Sequence, residues 1–369
     1  MKIVIYANSF FPDIGGGEKY NFDLANSLNE LGDEVTVITP VESKTKDNFK
    51  FRVIRIPGSK VLSAWKLLKI LKKLSPDILH ISGPTEIDFI LPTLSKFLNI
   101  YVILTYHADF PSKLGRFYNS MLGLFQFPID AIIVQTHSDK EKLTKRLVSE
   151  KHIIEFPFNG VDTSIYRKFN DEKNRNVDLV FVGRMDKAHS YKGHWNFLKI
   201  LDMLSHDCGS NAQVYIVGGG EEFDLFKENC SEIGIEIRFM KDARDEELIE
   251  LLNRTKYLIL PSTSNSEGFG RTVLEAIYCG AIPIVSKFAG SHEVVYEQSC
   301  GYVINPLEIE ETSILICKLI RDYHEDSHEL SAIRSIIANE EFSLQWTVSK
   351  TRGIYFETLK EKFNRQRKS

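Results

Sequence analysis

Short runs rich in valine and isoleucine alternate with helix-like patterns along the chain, and this alternation limits the fold more than any other feature. Between the first two runs, residues 20–31 carry apolar side chains at helical spacing and end at Gly32. A strand, a helix and a strand at this spacing require right-handed crossovers and a mainly parallel sheet. Six runs in the first part of the chain are predicted strands: 2–7, 34–39, 51–56, 78–81, 101–105 and 131–135.

The pattern stops at a polar stretch, residues 170–177, and then starts again. A stretch of this kind is typical of a linker between domains. The five strands predicted after it are 179–182, 213–217, 236–239, 257–260 and 282–285. We therefore expect two doubly wound α/β domains, residues 1–170 and 171–343, which face each other across a deep cleft. A last helix in residues 344–369 is predicted to pack back on the first domain.

The composition excludes several classes of protein. Hydrophobic residues make up 43% of the 369 residues and charged residues 26%, which is typical of a folded globular protein. No stretch approaches the roughly 20 apolar residues that a membrane-spanning helix needs. The net charge of −4 combines a mildly basic first half with an acidic second half, a balance too weak to indicate nucleic-acid binding. The sequence thus predicts a cytoplasmic protein with no nucleic-acid partner.

The strongest local motif is Glu-Gly-Phe-Gly-Arg-Thr-Val-Leu-Glu at 267–275. It follows the fourth predicted strand of the second domain and opens a helix. Glycines at 268 and 270 let backbone N–H groups approach a ligand, and a helix N-terminus favours a phosphate. Glu267 and Glu275 could accept hydrogen bonds from hydroxyl groups of one ligand. Taken alone, the motif also fits a solvated loop glutamate and a helix-capping glutamate.

Other residues with useful chemistry also follow predicted strands. Arg184 and Lys192 come after the first strand of the second domain, where two cations could neutralise a diphosphate. Gly15 and Gly16 follow the first strand of the chain, where they suit either a phosphate or a tight turn. His107 follows the fifth strand, as either a structural or a functional residue.

Motifs of several other chemistries are missing from the sequence. There is no D-x-D motif, no His/Cys cluster with metal-ligand spacing, no G-x-S-x-G and no Walker A motif. The five cysteines are widely spaced, which predicts reduced and mostly buried thiols. We therefore expect no metal ion and no other cofactor.

Together these residues resemble the retaining nucleotide-sugar glycosyltransferases of family 4, which have the GT-B fold. The resemblance runs almost from end to end, and it rests on an ordered set of motifs: Phe-Pro-x-x-Gly-Gly at 11–16, Pro-Asp-Ile-Leu-His at 76–80, Gly-Arg at 183–184, Lys-Gly at 192–193, the motif at 267–275, and Gly-x-x-Glu at 290–293. It implies transfer of a sugar from a UDP- or GDP-sugar to a hydroxyl of a glycan, a lipid-linked glycan or a small molecule, with retention. The alternatives are a GT-B nucleotide-sugar epimerase and a non-catalytic subunit that binds sugar nucleotides.

The resemblance also implies roles for individual residues. Glu267 would bind hydroxyls of the donor sugar and Glu275 the nucleotide ribose, while His107 would lie near the donor sugar. Arg184 and Lys192 would hold the diphosphate. The remaining donor contacts would come from Gly15, Gly16, Gly268, Phe269 and Gly270, and from Met240 and Lys241 at the base, where Lys241 replaces a glycine common in the family.

The segment Lys60–Leu74 alternates apolar residues with lysines and contains Trp65. A basic amphipathic helix with a tryptophan can lie on an anionic membrane. A helix packed on the sheet with its lysines in solvent fits the same pattern. The first interpretation predicts a peripheral position on the inner face of the membrane and suits a lipid-linked acceptor.

Overall fold

The computed structural model describes residues 1–12, 15–44, 46–57, 60–83, 95–107, 129–146, 148–169, 175–207, 212–324 and 327–366. The chain divides into two compact units. The first contains Met1–Gly160 together with Leu344–Ser369, and the second contains Val161–Ser343. Each unit has its own parallel sheet, so the predicted class of two α/β domains is confirmed.

The first unit holds a seven-stranded sheet in the order β3-β2-β1-β4-β5-β6-β7. The doubly wound order 3-2-1-4 places a topological switch point between β1 and β4, where ligands of such sheets bind. The strands are β1 Lys2–Ala7, β2 Glu34–Thr39, β3 Arg52–Arg55, β4 Ile78–Gly83, β5 Tyr101–Tyr106, β6 Ala131–Val134 and β7 Ile153–Glu155. The helices are α1 Gly16–Glu30, α2 Lys60–Leu74, α3 His137–Lys145 and, from the end of the chain, α11 Leu344–Gln366.

The two faces of this sheet are covered by different helices. Side chains along a strand alternate between faces. Val4 therefore packs in a cluster with Leu67 and Leu71 of α2, whereas Ile5 packs in the other cluster with Leu24 of α1 and Tyr355 of α11. Apolar contacts thus attach α11 to the first sheet.

The second unit holds a six-stranded sheet in the order β10-β9-β8-β11-β12-β13, with its switch point between β8 and β11. The strands are β8 Val177–Val182, β9 Gln213–Gly218, β10 Glu236–Lys241, β11 Thr255–Leu260, β12 Ile282–Ser286 and β13 Tyr302–Ile304. The helices are α4 His194–Asp207, α5 Phe223–Asn229, α6 Asp245–Asn253, α7 Thr272–Tyr278, α8 Ser291–Glu297, α9 Ile309–Arg321 and α10 His328–Ala338.

The sequence pattern did not predict the last strand of either sheet, β7 or β13. Each has three residues and lies at a sheet edge, and so short a run shows no clear periodicity. The segment from Val161 to Phe169 groups with the second unit. There the Phe169 N–H donates to Asn253 Oδ1 (2.7 Å), and Asn253 Nδ2 donates to the Arg167 carbonyl (3.0 Å).

The cysteines correct one expectation. Cys230, Cys279 and Cys300 are buried free thiols, and burial raises the pKa of each to about 12. Cys317 on α9 is disulfide-bonded, so the prediction of reduced thiols is wrong for this residue. Tertiary packing decides which cysteines meet, and sequence spacing does not show it.

Within the described ranges, no helix is long and apolar enough to cross a membrane.

Candidate active site

Lys192 and Glu267 meet where β8 and β11 end. Lys192 closes a short 3-10 helix after β8, and Glu267 lies in the loop after β11. Lys192 Nζ lies 3.1 Å from Glu267 Oε1 and 3.0 Å from Oε2, and Ser262 Oγ donates to Oε2 (3.3 Å). Burial would lower the pKa of Lys192, but the Glu267 carboxylate raises it above its usual value. The Lys192 ammonium and the carboxylate that is predicted to bind the donor sugar are thus neighbours at the switch point of the second sheet.

Two backbone contacts fix the position of Lys192. Gly193, the next residue, has a φ of +76°, and a Cβ there would lie 1.9 Å from the carbonyl oxygen of Pro261. The Thr263 N–H donates to the Tyr191 carbonyl (2.8 Å). The segment after β8 is therefore attached to the segment after β11, and only glycine allows so close an approach.

The loop that carries Glu267 is held by its backbone. Gly268 O accepts from Gly290 N–H (2.7 Å), and Phe269 O accepts from Ser291 N–H (3.1 Å). Gly270 has a φ of +81°, and a Cβ there would lie 2.5 Å from Leu260. These contacts bring the glycine-rich motif against the end of β11, as the sequence pattern predicts.

Glu275 is buried one turn inside α7. Arg271, the N-cap residue of α7 four positions earlier, lies with its Nε 3.6 Å from Glu275 Oε1, and both side chains are buried. Tyr166 lies nearby. Its burial and, as a smaller effect, the negative charge of Glu275 raise the pKa of its hydroxyl. The predicted ribose-binding carboxylate thus has a guanidinium beside it.

Arg184 lies just after β8, and its side chain is more than half exposed. Its Nε is 3.2 Å from Asp186 Oδ2, and Asp186 Oδ1 lies 2.7 Å from His189 Nδ1. Burial opposes the charge of Asp186, but His189 and Arg184 together lower its pKa. Asp186 therefore orients a cation that still reaches solvent.

The predicted base-binding residues Met240 and Lys241 are at the end of β10, which is three strands from β11. At roughly 4.8 Å per strand this is about 14 Å. Lys241 Nζ is 2.8 Å from Asp224 Oδ2 and lies 5.3 Å from the centroid of the Phe223 ring. The structure therefore directs Lys241 toward α5 and not toward the Lys192–Glu267 pair.

In the first unit, Gly16 is the first residue of α1, the helix that follows β1 in the chain, and Gly15 is the N-cap residue before it. A Cβ at Gly15 would lie 2.5 Å from Glu18 Oε2, so this carboxylate folds back over the glycine. Glu18 is at the third position of the helix, where an acidic side chain suits the helix N-terminus.

His107 follows β5 and is held from three sides. The backbone N–H of His107 donates to the Gly83 carbonyl (3.0 Å), and the imidazole Nε2 lies 2.9 Å from Ser82 Oγ. The Tyr20 and Phe158 rings contact the imidazole edge to face, with centroids at 4.9 Å and 5.0 Å. Burial lowers the pKa of His107 to about 4, so the imidazole is neutral at neutral pH.

His80, from the motif at 76–80, is a second neutral histidine beneath this one. It is fully buried, and burial followed by the charge of His107 lowers its pKa to about 3. Its Nδ1 bonds to the Tyr355 hydroxyl and its Nε2 to Thr105 Oγ1 (2.6 Å). These buried bonds connect α11 to β4 and β5.

Among the described residues, no group of three or more His, Cys, Asp or Glu side chains could hold a metal ion.

Two family models match consecutive parts of the chain. One, described as Glycosyltransferase Family 4, covers residues 14–165, and the other, described as Glycosyl transferases group 1, covers residues 162–334. The chain therefore belongs to glycosyltransferase family 4, and it is a glycosyltransferase enzyme.

Relatives and solved structures agree with this assignment. The chain is 24% identical to N-acetyl-alpha-D-glucosaminyl L-malate synthase of Bacillus anthracis, over 96% of this chain and 97% of that protein. It is also 24% identical to GDP-mannose:cellobiosyl-diphosphopolyprenol alpha-mannosyltransferase of Xanthomonas oryzae, over 84% and 85%. Anabaena HepE, solved in complex with UDP, superposes with a TM-score of 0.77 at 17% identity, over 97% of this chain and all of that one. This structural likeness shows the GT-B fold.

Several residues that support the site were not predicted from the sequence. They are Ser82 at His107, Ser262 at Glu267, Asp186 at Arg184, and Arg271 at Glu275. The spacing of four residues between Arg271 and Glu275 was a usable signal, because such residues are neighbours on a helix. Ser82 lies 25 residues from His107 and left no signal of this kind.

Proposed function

We propose that this glycosyltransferase takes a sugar from a UDP- or GDP-sugar and transfers it, with retention of configuration, to an acceptor hydroxyl. The observation that carries the proposal is the Lys192–Glu267 pair at the switch point of the second sheet. A nucleotide sugar offers both a diphosphate for the ammonium and hydroxyl groups for the carboxylate. UDP in the HepE structure and GDP-mannose in the name of the Xanthomonas enzyme support this class of donor.

The two cations would act on the leaving group. As the bond between the anomeric carbon and the phosphate oxygen breaks, its electron pair stays on the diphosphate, whose negative charge grows. Lys192 and Arg184 would stabilise this charge more in the transition state than in the ground state, which lowers the barrier. We propose that they replace a metal ion in this role, so that a chelator leaves the activity unchanged.

The acceptor would attack on the face from which the phosphate leaves. Its hydroxyl oxygen forms the new bond to the anomeric carbon, and its proton passes to the departing phosphate oxygen. This route balances charge and protons without a carboxylate nucleophile, unlike the paired carboxylates of glycosidases.

The other residues would orient the donor. Glu267 would accept hydrogen bonds from sugar hydroxyls and Glu275 from the ribose, while His107 would contact the donor sugar. The glycine segments at 15–16 and 268–270 would bring backbone N–H groups to the phosphates, and Met240 and Lys241 would lie near the base.

A thermal-shift screen tests the donor site directly. The wild type and Glu267→Gln are each mixed with UDP-glucose, GDP-mannose, UDP or GDP. Each ligand is titrated up to a concentration about 100 times its Kd for the wild type. A matching donor should stabilise the wild type by about 2.7 kcal/mol at that ratio, because it binds only the folded state. Lys256→Met is the matched control, since it breaks an ion pair with Asp178 in the same unit (2.7 Å). If Glu267→Gln keeps the full donor shift, the assigned site is wrong.

Product analysis separates transfer from the two alternatives. An epimerase would convert the donor to a different nucleotide sugar without any acceptor. A non-catalytic subunit would bind the donor and release no nucleotide. We expect nucleotide release that increases when an acceptor is supplied, and proton NMR of the product should show the anomeric configuration of the donor.

Helix α2 supports a lipid-linked acceptor at an anionic membrane surface, the inner face of the cell membrane. Leu67 and Leu71 are buried in the core, so the helix does pack on the sheet. Trp65, however, is 64% exposed, and its neighbours on the solvent side include Lys66, Lys69, Lys72 and Lys73. The helix contains no acidic residue. An exposed tryptophan among lysines is the pattern of an interfacial helix.

Vesicle sedimentation tests this surface. The wild type should pellet with vesicles containing phosphatidylglycerol and not with pure phosphatidylcholine, and Trp65→Ala should weaken the binding. Tyr296→Ala removes an aromatic ring that is 78% exposed in the second unit, and it should leave the binding unchanged. Equal binding of the Trp65→Ala variant would exclude this role of α2.

A further inference from the structure

The Ser82–His107 contact has a consequence for the chemistry of the predicted site. His107 is neutral, because burial lowers its pKa to about 4. A neutral imidazole has one N–H donor and one lone pair, and a serine hydroxyl can bond to either of them, so the bond to Ser82 occupies Nε2 whichever nitrogen carries the proton. Ser82 Oγ lies 2.9 Å from Nε2, so Nε2 is the ring nitrogen of His107 that hydrogen-bonds to the protein itself.

The surroundings keep the ring in one orientation. The Tyr20 and Phe158 rings meet the imidazole at interplanar angles of 76° and 88°. The backbone N–H of His107 donates to Gly83, the residue after Ser82. Strand β4 thus holds both the backbone and the side chain of His107. In the described part of the chain, Nδ1 makes no hydrogen bond that would compete with a ligand.

We propose that Ser82 is a positioning residue that holds Nε2 of His107, so that Nδ1 is the ring atom presented to the donor sugar. This inference rests on the proposed function, because it takes His107 as a contact of the donor. Ser82 does not touch the donor itself. It occupies Nε2 and holds the ring in one orientation, which favours a single protonation pattern, and a ring that rotates or exchanges its proton presents the correct atom only part of the time.

The packing explains why a serine suits this position. Ser82 is 6% exposed and lies on β4 opposite Thr105 of β5. The neighbouring His80–Thr105 bond lies in the same strand pair. The Ser82–His107 contact and the His80–Thr105 bond are therefore adjacent, and a buried Ser82 hydroxyl without the imidazole would be left without that hydrogen bond.

The test reads the tautomer by NMR in the full-length protein labelled with ¹⁵N-histidine. The signals of His107 are identified by their loss in His107→Gln. The wild type should show two well-separated ring-nitrogen shifts, the signature of one tautomer, whereas Ser82→Ala should move them toward a common average. Ser82→Thr keeps the hydroxyl and should restore the separation.

Ser95→Ala is the matched control. Ser95 is fully buried in the same unit, and its hydroxyl has no hydrogen-bond partner among the described residues. This variant should leave the His107 signals unchanged.

Ligand and rate measurements complete the test. UDP-glucose and GDP-mannose are added separately, and the donor that binds should shift Nδ1 of His107 more than Nε2. With that donor, Ser82→Ala should lower kcat by about 10- to 100-fold and leave the donor KM within about twofold, since orientation and not binding is lost.

Two outcomes overturn the inference: averaged ring shifts in the wild type, or unchanged spectra and kcat in Ser82→Ala. A failure of the proposed function looks different. In that case Glu267→Gln and His107→Gln would keep full activity, whatever the spectrum of the serine variant.

Discussion

The pair of Lys192 and Glu267 brings together residues that are 75 positions apart. Their side chains are 19% and 7% exposed, so each charge depends on the other. Removing one partner of a buried pair leaves an uncompensated charge, which costs more than the pair contributes. When a donor binds, Lys192 and Glu267 would have to give up some of their hydrogen bonds to each other and form hydrogen bonds to the donor instead.

Lys192→Met should destabilise the second unit by about 3 kcal/mol, because among the described residues it leaves the buried Glu267 carboxylate with the Ser262 hydroxyl as its remaining side-chain partner. Urea unfolding measures the loss. The double variant Lys192→Met/Glu267→Gln should recover most of the stability but none of the donor-induced thermal shift. Full stability of the single variant would contradict the strength assigned to this pair.

His80 gives a prediction on pH. Its pKa is about 3 in the folded state against about 6.5 in an unfolded chain. Below pH 6.5 the unfolded state binds a proton that the folded state does not, so stability falls as pH falls. The expected loss is up to about 1.4 kcal/mol per pH unit between pH 6.5 and 4.

His80→Gln should remove this part of the slope, since glutamine does not titrate. The measurement is urea unfolding of both proteins at pH 7.5, 6 and 5. His152→Gln is a control with a partly exposed histidine. Parallel stability curves for wild type and His80→Gln would show that His80 does not carry the effect.

At the scale of elements, tight backbone contacts place the functional side chains. Gly193 lies between Lys192 and the first residue of α4, and its φ of +76° lies in the left-handed region. The Pro261 carbonyl fills the space where a side chain would begin. The end of β11 and the start of α4 are therefore locked together at the site.

Gly193→Ala should lower the free energy of unfolding by about 2 kcal/mol or more, because the alanine would need a left-handed backbone conformation and its Cβ would clash with the Pro261 carbonyl. It should also abolish the donor-induced thermal shift by moving Lys192. Gly353→Ala is the control, because nothing lies within 4 Å of its added Cβ in α11, and it should stabilise by about 0.5–1 kcal/mol. Donor binding that survives in Gly193→Ala would show that the exact backbone path at this glycine is dispensable.

At the scale of the whole molecule, the first unit is completed by a segment from the end of the chain. Val348, Ile354 and Tyr355 of α11 are buried with residues of β1 and α1, and Tyr355 bonds to His80. The second unit has its own sheet and does not include α11.

A chain truncated after Ser343 should therefore lose hydrogen-exchange protection in the first unit, at β1 and β4. Peptides from β8 and β11 should stay protected and serve as the internal reference, because their unit keeps all its elements. Unchanged protection at β1 would mean that α11 contributes little to the first core.

The sequence by itself determined the two parallel sheets, the positions of most strands along the chain and the glycine-rich turns at strand ends. These features follow from local periodicity, which a run of five or six residues displays. The three-residue edge strands β7 and β13 were missed because they are too short to show it. The motif residues that follow β1, β5, β8 and β11 were therefore placed at the carboxyl ends of their strands in advance.

Only the tertiary structure decided which side chains meet. It joined Lys192 to Glu267, Ser82 to His107, and His80 to Tyr355, which is 275 residues away. It also directed Lys241 toward Asp224. The histidine of the motif at 76–80, His80, is buried in the core and hydrogen-bonds to other core residues. Such contacts depend on packing between distant elements, and no local pattern records that packing.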